Sequence, residues 1–326
     1  MRRVILIFIL FMVFPHGAYS SEDEDRRHVT YSRQKYFLKS EHFSNEIDTD
    51  RLWWDARIQA TENIHFFFYP ILTRNLDNEE AVTLRTIRSY TAINIENLYV
   101  GIGKQPIIWG VGQGRNPTNY FMNIQPLDKQ KSQEVALEGI LSYLVEYSSQ
   151  GSTLEMVIAD DKTHASAIRA KTFLFDTDMS LSFFRKDGAS RMGGDFETDI
   201  KGEFLLYSEA SAKDQDNWDG LIGVKRTLTS FNKSNVHLEY YYDGRLKKKE
   251  INGGIYLQPT EEVSVISSVS HDINQNVSLW MTRLGYSWEE FEFVVTPLFK
   301  VKHGEKDIES FPQERIITAQ VIAHFF

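Results

Sequence analysis

Residues 291–302 read FEFVVTPLFKVK. Phe291, Phe293, Val295, Pro297, Phe299 and Val301 are apolar, and most residues between them, Glu292, Thr296, Lys300 and Lys302 among them, are polar. Side chains of a strand point alternately to its two faces, so this stretch is a β-strand with one greasy and one wet face. The alternation recurs at Leu52, Trp54, Ala56, Ile58 and Ala60 against Trp53, Asp55, Arg57 and Gln59, and at Val236, Leu238, Tyr240 and Tyr242 against His237, Glu239 and Tyr241. Weaker copies fall at Leu154, Met156 and Ile158 and at Met179, Leu181 and Phe183. No helical period of 3.6 extends beyond a turn or two, and the chain reads as nearly all β.

Turn signals cut the chain into short units at Ser149-Gln150-Gly151-Ser152, Lys186-Asp187-Gly188, Asp243-Gly244, Asn252-Gly253-Gly254 and His303-Gly304. At roughly 18 to 20 residues per strand and connection, the expectation is about 16 strands, within a range of about 14 to 18. There is no Pro-, Gly- or Ser-rich linker, no break in composition and no repeat of fixed period, so residues 21–326 read as one domain. The least strand-like stretch is 110–133, long for an unstructured connection.

The first twenty residues read as a cleaved export signal. Arg2 and Arg3 form its positive end, Val4 to Phe14 its apolar core, and Ala18-Tyr19-Ser20 a small-x-small cleavage site before the acidic run from Ser21 to Asp25. Beyond it, the longest stretch free of Lys, Arg, Asp and Glu runs only from Asn116 to Leu127. A membrane helix needs about 18 or more apolar residues, so helical spans are excluded. The absence of cysteine excludes disulfide frameworks, thiolate metal sites and cysteine nucleophiles. A net charge of -9 argues against nucleic acid as a partner.

Two architectures bury one face of many antiparallel strands. A soluble sandwich or barrel turns the apolar face inward, whereas an outer-membrane barrel turns it to lipid and lines its lumen with the polar face. The aromatic content, 22 Phe, 15 Tyr and 6 Trp with many near strand ends, favours the second. Trp280, Tyr286 and Trp288, and Tyr240 and Tyr242, fit interfacial girdles. The final strand, with Ile317, Ala319, Val321, Ala323 and Phe325 on one face, ends at Phe326, a terminal aromatic of the kind the barrel-assembly machinery engages. The expected fold is a transmembrane, antiparallel, up-and-down β-barrel in the outer membrane of a Gram-negative bacterium.

The segment from Leu98 to Tyr120, LYVGIGKQPIIWGVGQGRNPTNY, carries Gly103-Lys104-Gln105 at the end of a strand, then Trp109-Gly110 and a loop. It resembles a signature of Gram-negative outer-membrane porin-like barrels, a group that includes the alginate-export-type channels and many uncharacterised relatives. Gly194 and Asp195, Gly202 and Glu209, and the run Leu238 to Gly244 are similar to the same group, and with the last strand the resemblance covers most of the chain. It implies a barrel and, less specifically, passage of a solute. The loop carries Gln113 where relatives often have an acidic residue.

Gly101 and Gly103 alternate with Val100 and Ile102, leaving room on the lumen face for something to approach. The expected occupant is the loop 110–133, folded inward as a constriction with polar contacts from Lys104, Gln105, Gln113, Arg115 and Asn116. The bland alternative leaves the loop outside the pore. Asp55, Arg57, Glu155, Glu239 and Glu292 share the wet face, with Arg169 and Lys171 on a less certain strand; such charges either select solutes or pair inertly. Arg245, Lys247, Lys248 and Lys249 form a basic connection that could meet lipopolysaccharide phosphates or simply be solvated.

Catalysis finds little support. His271-Asp272-Ile273-Asn274 has the His and Asn of an outer-membrane phospholipase strand, but Ile273 stands where the nucleophilic hydroxyl belongs. The nine histidines show no metal-ligand spacing, and no cofactor is implied. The expected function is passive passage of a small or linear hydrophilic solute, by a non-enzymatic channel in contact with outer-membrane lipid and lipopolysaccharide. The competing expectation is a plugged barrel with a structural or surface-interaction role. A soluble exported sandwich binding glycans is a third.

Overall fold

A computed structural model describes residues 27–39, 44–75, 82–113, 115–121, 138–160, 164–214, 217–228, 234–288, 291–302 and 315–325. The expected export signal, Phe326 and the turn at His303-Gly304 lie outside them. Eighteen strands follow one another: β1 (Arg27–Lys39), β2 (Ser44–Thr61), β3 (Ile64–Asn75), β4 (Val82–Ile95), β5 (Leu98–Gln105), β6 (Ile140–Ser149), β7 (Ser152–Ala159), β8 (Ala165–Leu174) and β9 (Thr177–Lys186). The second half comprises β10 (Ala189–Ile200), β11 (Phe204–Asp214), β12 (Asn217–Leu228), β13 (Ser234–Asp243), β14 (Lys248–Leu257), β15 (Val263–Asp272), β16 (Val277–Trp288), β17 (Phe291–Lys302) and β18 (Arg315–Phe325). The number is at the top of the expected range rather than at its centre, because several connections take only two or three residues.

Each strand pairs antiparallel with its successor in sequence, and β1 also pairs β18, from Val29 opposite Phe325 to Lys39 opposite Arg315. Every strand therefore has a partner on both edges. In lipid this is a requirement, since an unpaired backbone donor or acceptor costs several kcal/mol, roughly, with no water to replace the partner.

The accessible surface is inverted relative to a protein in water. Leu84 is 68% exposed and Leu181 75%, with Phe66, Phe68, Ile158, Phe183, Leu238 and Trp280 exposed beside them, while Glu209, Glu239 and Glu250 are each only 1% exposed. At about 25 cal/mol per Å² of apolar surface, such a belt would be unstable in water. Lipid, not solvent, is its environment. The aromatic residues fall at both ends of the belt: Tyr143, Trp218 and Trp280 towards one rim, Tyr147, Tyr286 and Trp288 towards the other.

The two rims differ. At the rim where β1 begins and β18 ends, connections are short, at 62–63, 96–97, 150–151, 175–176 and 201–203; at the other, the longest run over 106–139 and 303–314. Short periplasmic turns and long outer loops are the usual polarity of such barrels. The tight turns require left-handed backbone: Gln150 and Gly151 have φ of 48° and 79°, and Asp187 and Gly188 51° and 78°. One expected turn is absent. Asn252-Gly253-Gly254 runs straight through β14, where the imidazole of His237 occupies the space a side chain at Gly254 would need. These glycines make room across the ladder instead of reversing the chain.

Candidate functional site

The connection after β5 leaves the wall and enters the lumen. Its described stretches 106–113 and 115–121 are not strand, so their backbone N–H groups need acceptors from elsewhere. Two carboxylates on the inner wall, Glu209 and Glu239, supply them, and a third, Glu250, holds the segment through the Arg115 side chain. Glu209 on β11 accepts from the N–H groups of Val111 at 3.0 Å and Gly112 at 3.2 Å, from the N–H of Thr118, and from the Thr118 hydroxyl at 2.8 Å. Glu239 on β13 accepts from the N–H of Gln113 and from the Tyr207 hydroxyl at 3.0 Å. Glu250 on β14 pairs with Arg115 at 3.1 Å, and receives Lys248 at 2.9 Å and the Ser270 hydroxyl at 2.5 Å. The period-two pattern puts these glutamates inward, and each is then neutralised by donors instead of water.

The opposite flank of the segment is held by apolar packing. Ile107 and Trp109 pack into a cluster with Val157, Ala159, Ala165, Ala167 and Phe184, the inner faces of β7, β8 and β9 being small enough there to admit an indole. Tyr120 and Phe121 meet Trp109 edge-on at 6.1 and 5.5 Å. Arg169 lies over the Trp109 ring at 5.7 Å while binding Asp195 at 3.0 Å, and Asp195 also takes the Ser180 hydroxyl at 2.5 Å. The segment thus bridges two neighbouring parts of the inner wall, β7–β9 and β11–β14.

Gly110 is the pivot. Its φ is +92°, and a Cβ there would lie 2.5 Å from Glu209 Oε1. Gly193 on β10 likewise leaves the space that the Tyr120 hydroxyl enters, and that hydroxyl is 3.1 Å from Ser182 Oγ.

The residues singled out in the sequence fall into separate groups. Gln113, Arg115 and Asn116 lie on the inward segment with Glu239 beneath. The Asn116 amide, turned so that its nitrogen donates, reaches the carbonyls of Gly112 at 2.5 Å and Arg115 at 2.7 Å. Gln105 is buried on the wall, donates to the Ser142 carbonyl at 3.3 Å, and itself fills the space beside Gly101. The room at Gly101 therefore accommodates Gln105, and that at Gly103 the backbone of Ser89 and Tyr90, rather than the loop beyond Trp109. Lys104 binds Glu138 at 2.8 Å and the Thr86 carbonyl at 2.6 Å. Arg57 sits on β2 over Phe67, 5.5 Å from the ring centroid and near the short-turn rim. Asp55 lies on β2 opposite His28, its side chain outside the described set.

Other candidates are redistributed too. Glu155 lies 4.0 Å from Arg169, and Glu292 3.2 Å from Arg283. In the basic connection, Lys248 turns inward to Glu250 and Asp272, leaving Arg245, Lys247 and Lys249 exposed. His271 finds a hydroxyl after all, Ser278 on the next strand at 3.0 Å, a cross-strand partner that spacing along one strand does not reveal. Among the described residues no group of three His, Asp or Glu is placed to hold a metal ion.

Closed pairing, an apolar outer belt and a polar lumen entered by an inward segment define a porin-like outer-membrane β-barrel. No protein-family model matches the chain, and no curated protein matches it in sequence. Solved structures do. Wzi of Escherichia coli, described as a carbohydrate-binding outer-membrane β-barrel involved in group 1 capsule assembly, is similar over 99% of this chain and 88% of its own, with a TM-score of 0.63 and 12% identity. OccK2 of Pseudomonas aeruginosa, solved with glucuronate, is similar over 92% of this chain and 97% of its own, with a TM-score of 0.62 and 9% identity. A triple mutant of Rhodopseudomonas blastica porin is similar over 91% and 99%, with a TM-score of 0.51 and 11% identity. At such identities the likeness is one of fold, and it does not single out the alginate-export type among porin-like barrels.

Proposed function

We propose that the chain is an outer-membrane channel for a small or linear hydrophilic solute, narrowed by the inward segment 106–121. The observation that carries this reading is the suspension of that segment on Glu209, Glu239 and Glu250, which places charged and amide groups inside a polar lumen. A constriction lined by fixed charges discriminates solutes by size and field without any chemical step, and the reading assigns no catalytic residue or cofactor. The porin and OccK2 likenesses support it. Export through a cleaved signal at 1–20, assembly through the terminal aromatic, and contact of Arg245, Lys247 and Lys249 with lipopolysaccharide phosphates complete the proposal.

The test is reconstitution. Purified protein should swell liposomes in small sugars and conduct ions in planar bilayers. Arg115→Ala should shift the reversal potential towards cation preference, because Glu250 loses one of its two cationic partners. An unchanged potential removes Arg115 from the ion path. The second reading, a closed barrel with a surface-binding role, is favoured by a polar cavity of about 710 Å³ above the segment and by the likeness to Wzi. Absence of both flux and conductance would select it.

A further inference from the structure

The four donors that meet Glu209 are shared evenly between its two oxygens. Oε1 accepts from the N–H and the hydroxyl of Thr118, and Oε2 from the N–H groups of Val111 and Gly112. An ionised carboxyl offers about four lone-pair sites and no donor, so every site is in use. Gly110 closes the remaining space: a Cβ there would lie 2.5 Å from Oε1 and 2.6 Å from Oε2. All four donors are neutral, and all belong to the inward segment. The charged and titratable groups around Glu209 are directed elsewhere. Asp195, opposite on β10, is held by Arg169 at 3.0 Å, and Arg191 on the same strand lies 4.0 Å from Asp219. The Tyr207 hydroxyl on β11 goes to Glu239 and that of Tyr120 to Ser182, while β12 places Leu221 opposite. Among the described residues no cation lies within ion-pair distance of Glu209.

We infer that Glu209 is an acid-operated latch: a proton on its carboxyl and the seated segment exclude one another, so acidification releases the segment and widens the channel. A protonated oxygen becomes a donor facing two donors, and at least one bond to the segment must break. The bonds that remain lose the assistance of the negative charge. Each charge-assisted bond lost lowers the ratio of seated to released segment about tenfold or more. Linkage fixes the sign: the latch is made while the carboxyl is ionised, at neutral pH, and is lost as the pH falls through its titration. Glu250 is a tether of another kind, an ion pair to the Arg115 side chain that involves no backbone of the segment. The apolar packing of Ile107 and Trp109 against β7–β9 does not titrate and keeps the segment attached, which makes the release reversible.

The widening rests on the channel reading, whereas the latch rests on the hydrogen bonds alone, and the test reads them separately in the full-length protein. Single-channel conductance in planar bilayers should rise reversibly as the pH falls from about 7.5 to about 4, the range in which carboxyls gain a proton. The chain has no cysteine, so a nitroxide attached through Gln113→Cys reports the segment alone, and its mobility in detergent should rise over the same range. Glu209→Gln should show the acid-form conductance and mobility at both ends of the range. Glu292→Gln, altering a carboxylate that holds Arg283 instead of the segment, should keep the parent's response. Mobility that responds without any conductance at any pH would uphold the latch and remove the channel reading. Label mobility constant with pH, conductance that falls on acidification, or a response that survives Glu209→Gln would overturn the inference; the labelled parent decides by itself if Glu209→Gln does not assemble.

Discussion

Glu209 accepts hydrogen bonds from four donors of one short segment while almost fully removed from solvent. A carboxylate in that position replaces the ladder partners that a non-strand segment lacks, and charge-assisted bonds of this kind contribute about 1.5 to 3 kcal/mol each. Glu209→Gln keeps the shape but puts a donor where acceptors are needed. It should loosen 106–121, seen as larger and noisier single-channel conductance and as barrel unfolding at lower temperature. A conductance trace identical to the parent's would show that the segment is held without it. Gly110→Ala should act the same way by another route. The left-handed φ costs a non-glycine residue about 1 to 2 kcal/mol, and the added methyl meets the Glu209 carboxylate. Glu209 and Asp195 are among the residues that carry the resemblance to porin-like barrels, but the partners of Glu209 lie about ninety residues away along the chain and those of Asp195 on other strands.

At the scale of elements, the strands were legible because the environment imposes one rule on each of them. Ile58, Leu181, Leu238 and Trp280 must face lipid and their neighbours must not, so period two survives even where individual residues vary. Connections were legible only where backbone chirality constrained them, as at Gln150-Gly151 and Asp187-Gly188. Asn252-Gly253-Gly254 misled because glycine serves both tight turns and close lateral packing, and only the neighbouring His237 distinguishes them. The turn Phe175-Asp176 carries no glycine signal, yet both residues have positive φ, 52° and 57°, and Phe175 is 95% exposed at the short-turn rim. A bulky residue there is paid for by insertion into the membrane interface. Phe175→Asn should therefore stabilise the turn in detergent by about 1 kcal/mol, since asparagine tolerates the left-handed region. A lower unfolding temperature in detergent would contradict this account.

For the whole molecule, closure through β1 and β18 leaves no free edge for detergent or another chain to attack. The unheated protein should migrate in electrophoresis apart from the boiled form. Deletion of β1 (Arg27–Lys39) should abolish that difference, because β2 and β18 are left as open edges. A shift that persists without β1 would mean the remaining strands close by themselves. All-β architecture, an outward apolar face and an inward polar one follow from the sequence alone, because lipid on one side and water on the other act on every strand separately through a two-residue period. Which carboxylates hold the inward segment, that Gln105 fills the room at Gly101, and that the Asn119 amide is buried without a partner were decided only by the tertiary structure. Those relations join residues whose proximity depends on closure of the ring, and nothing local in the chain records the partner that closure will bring.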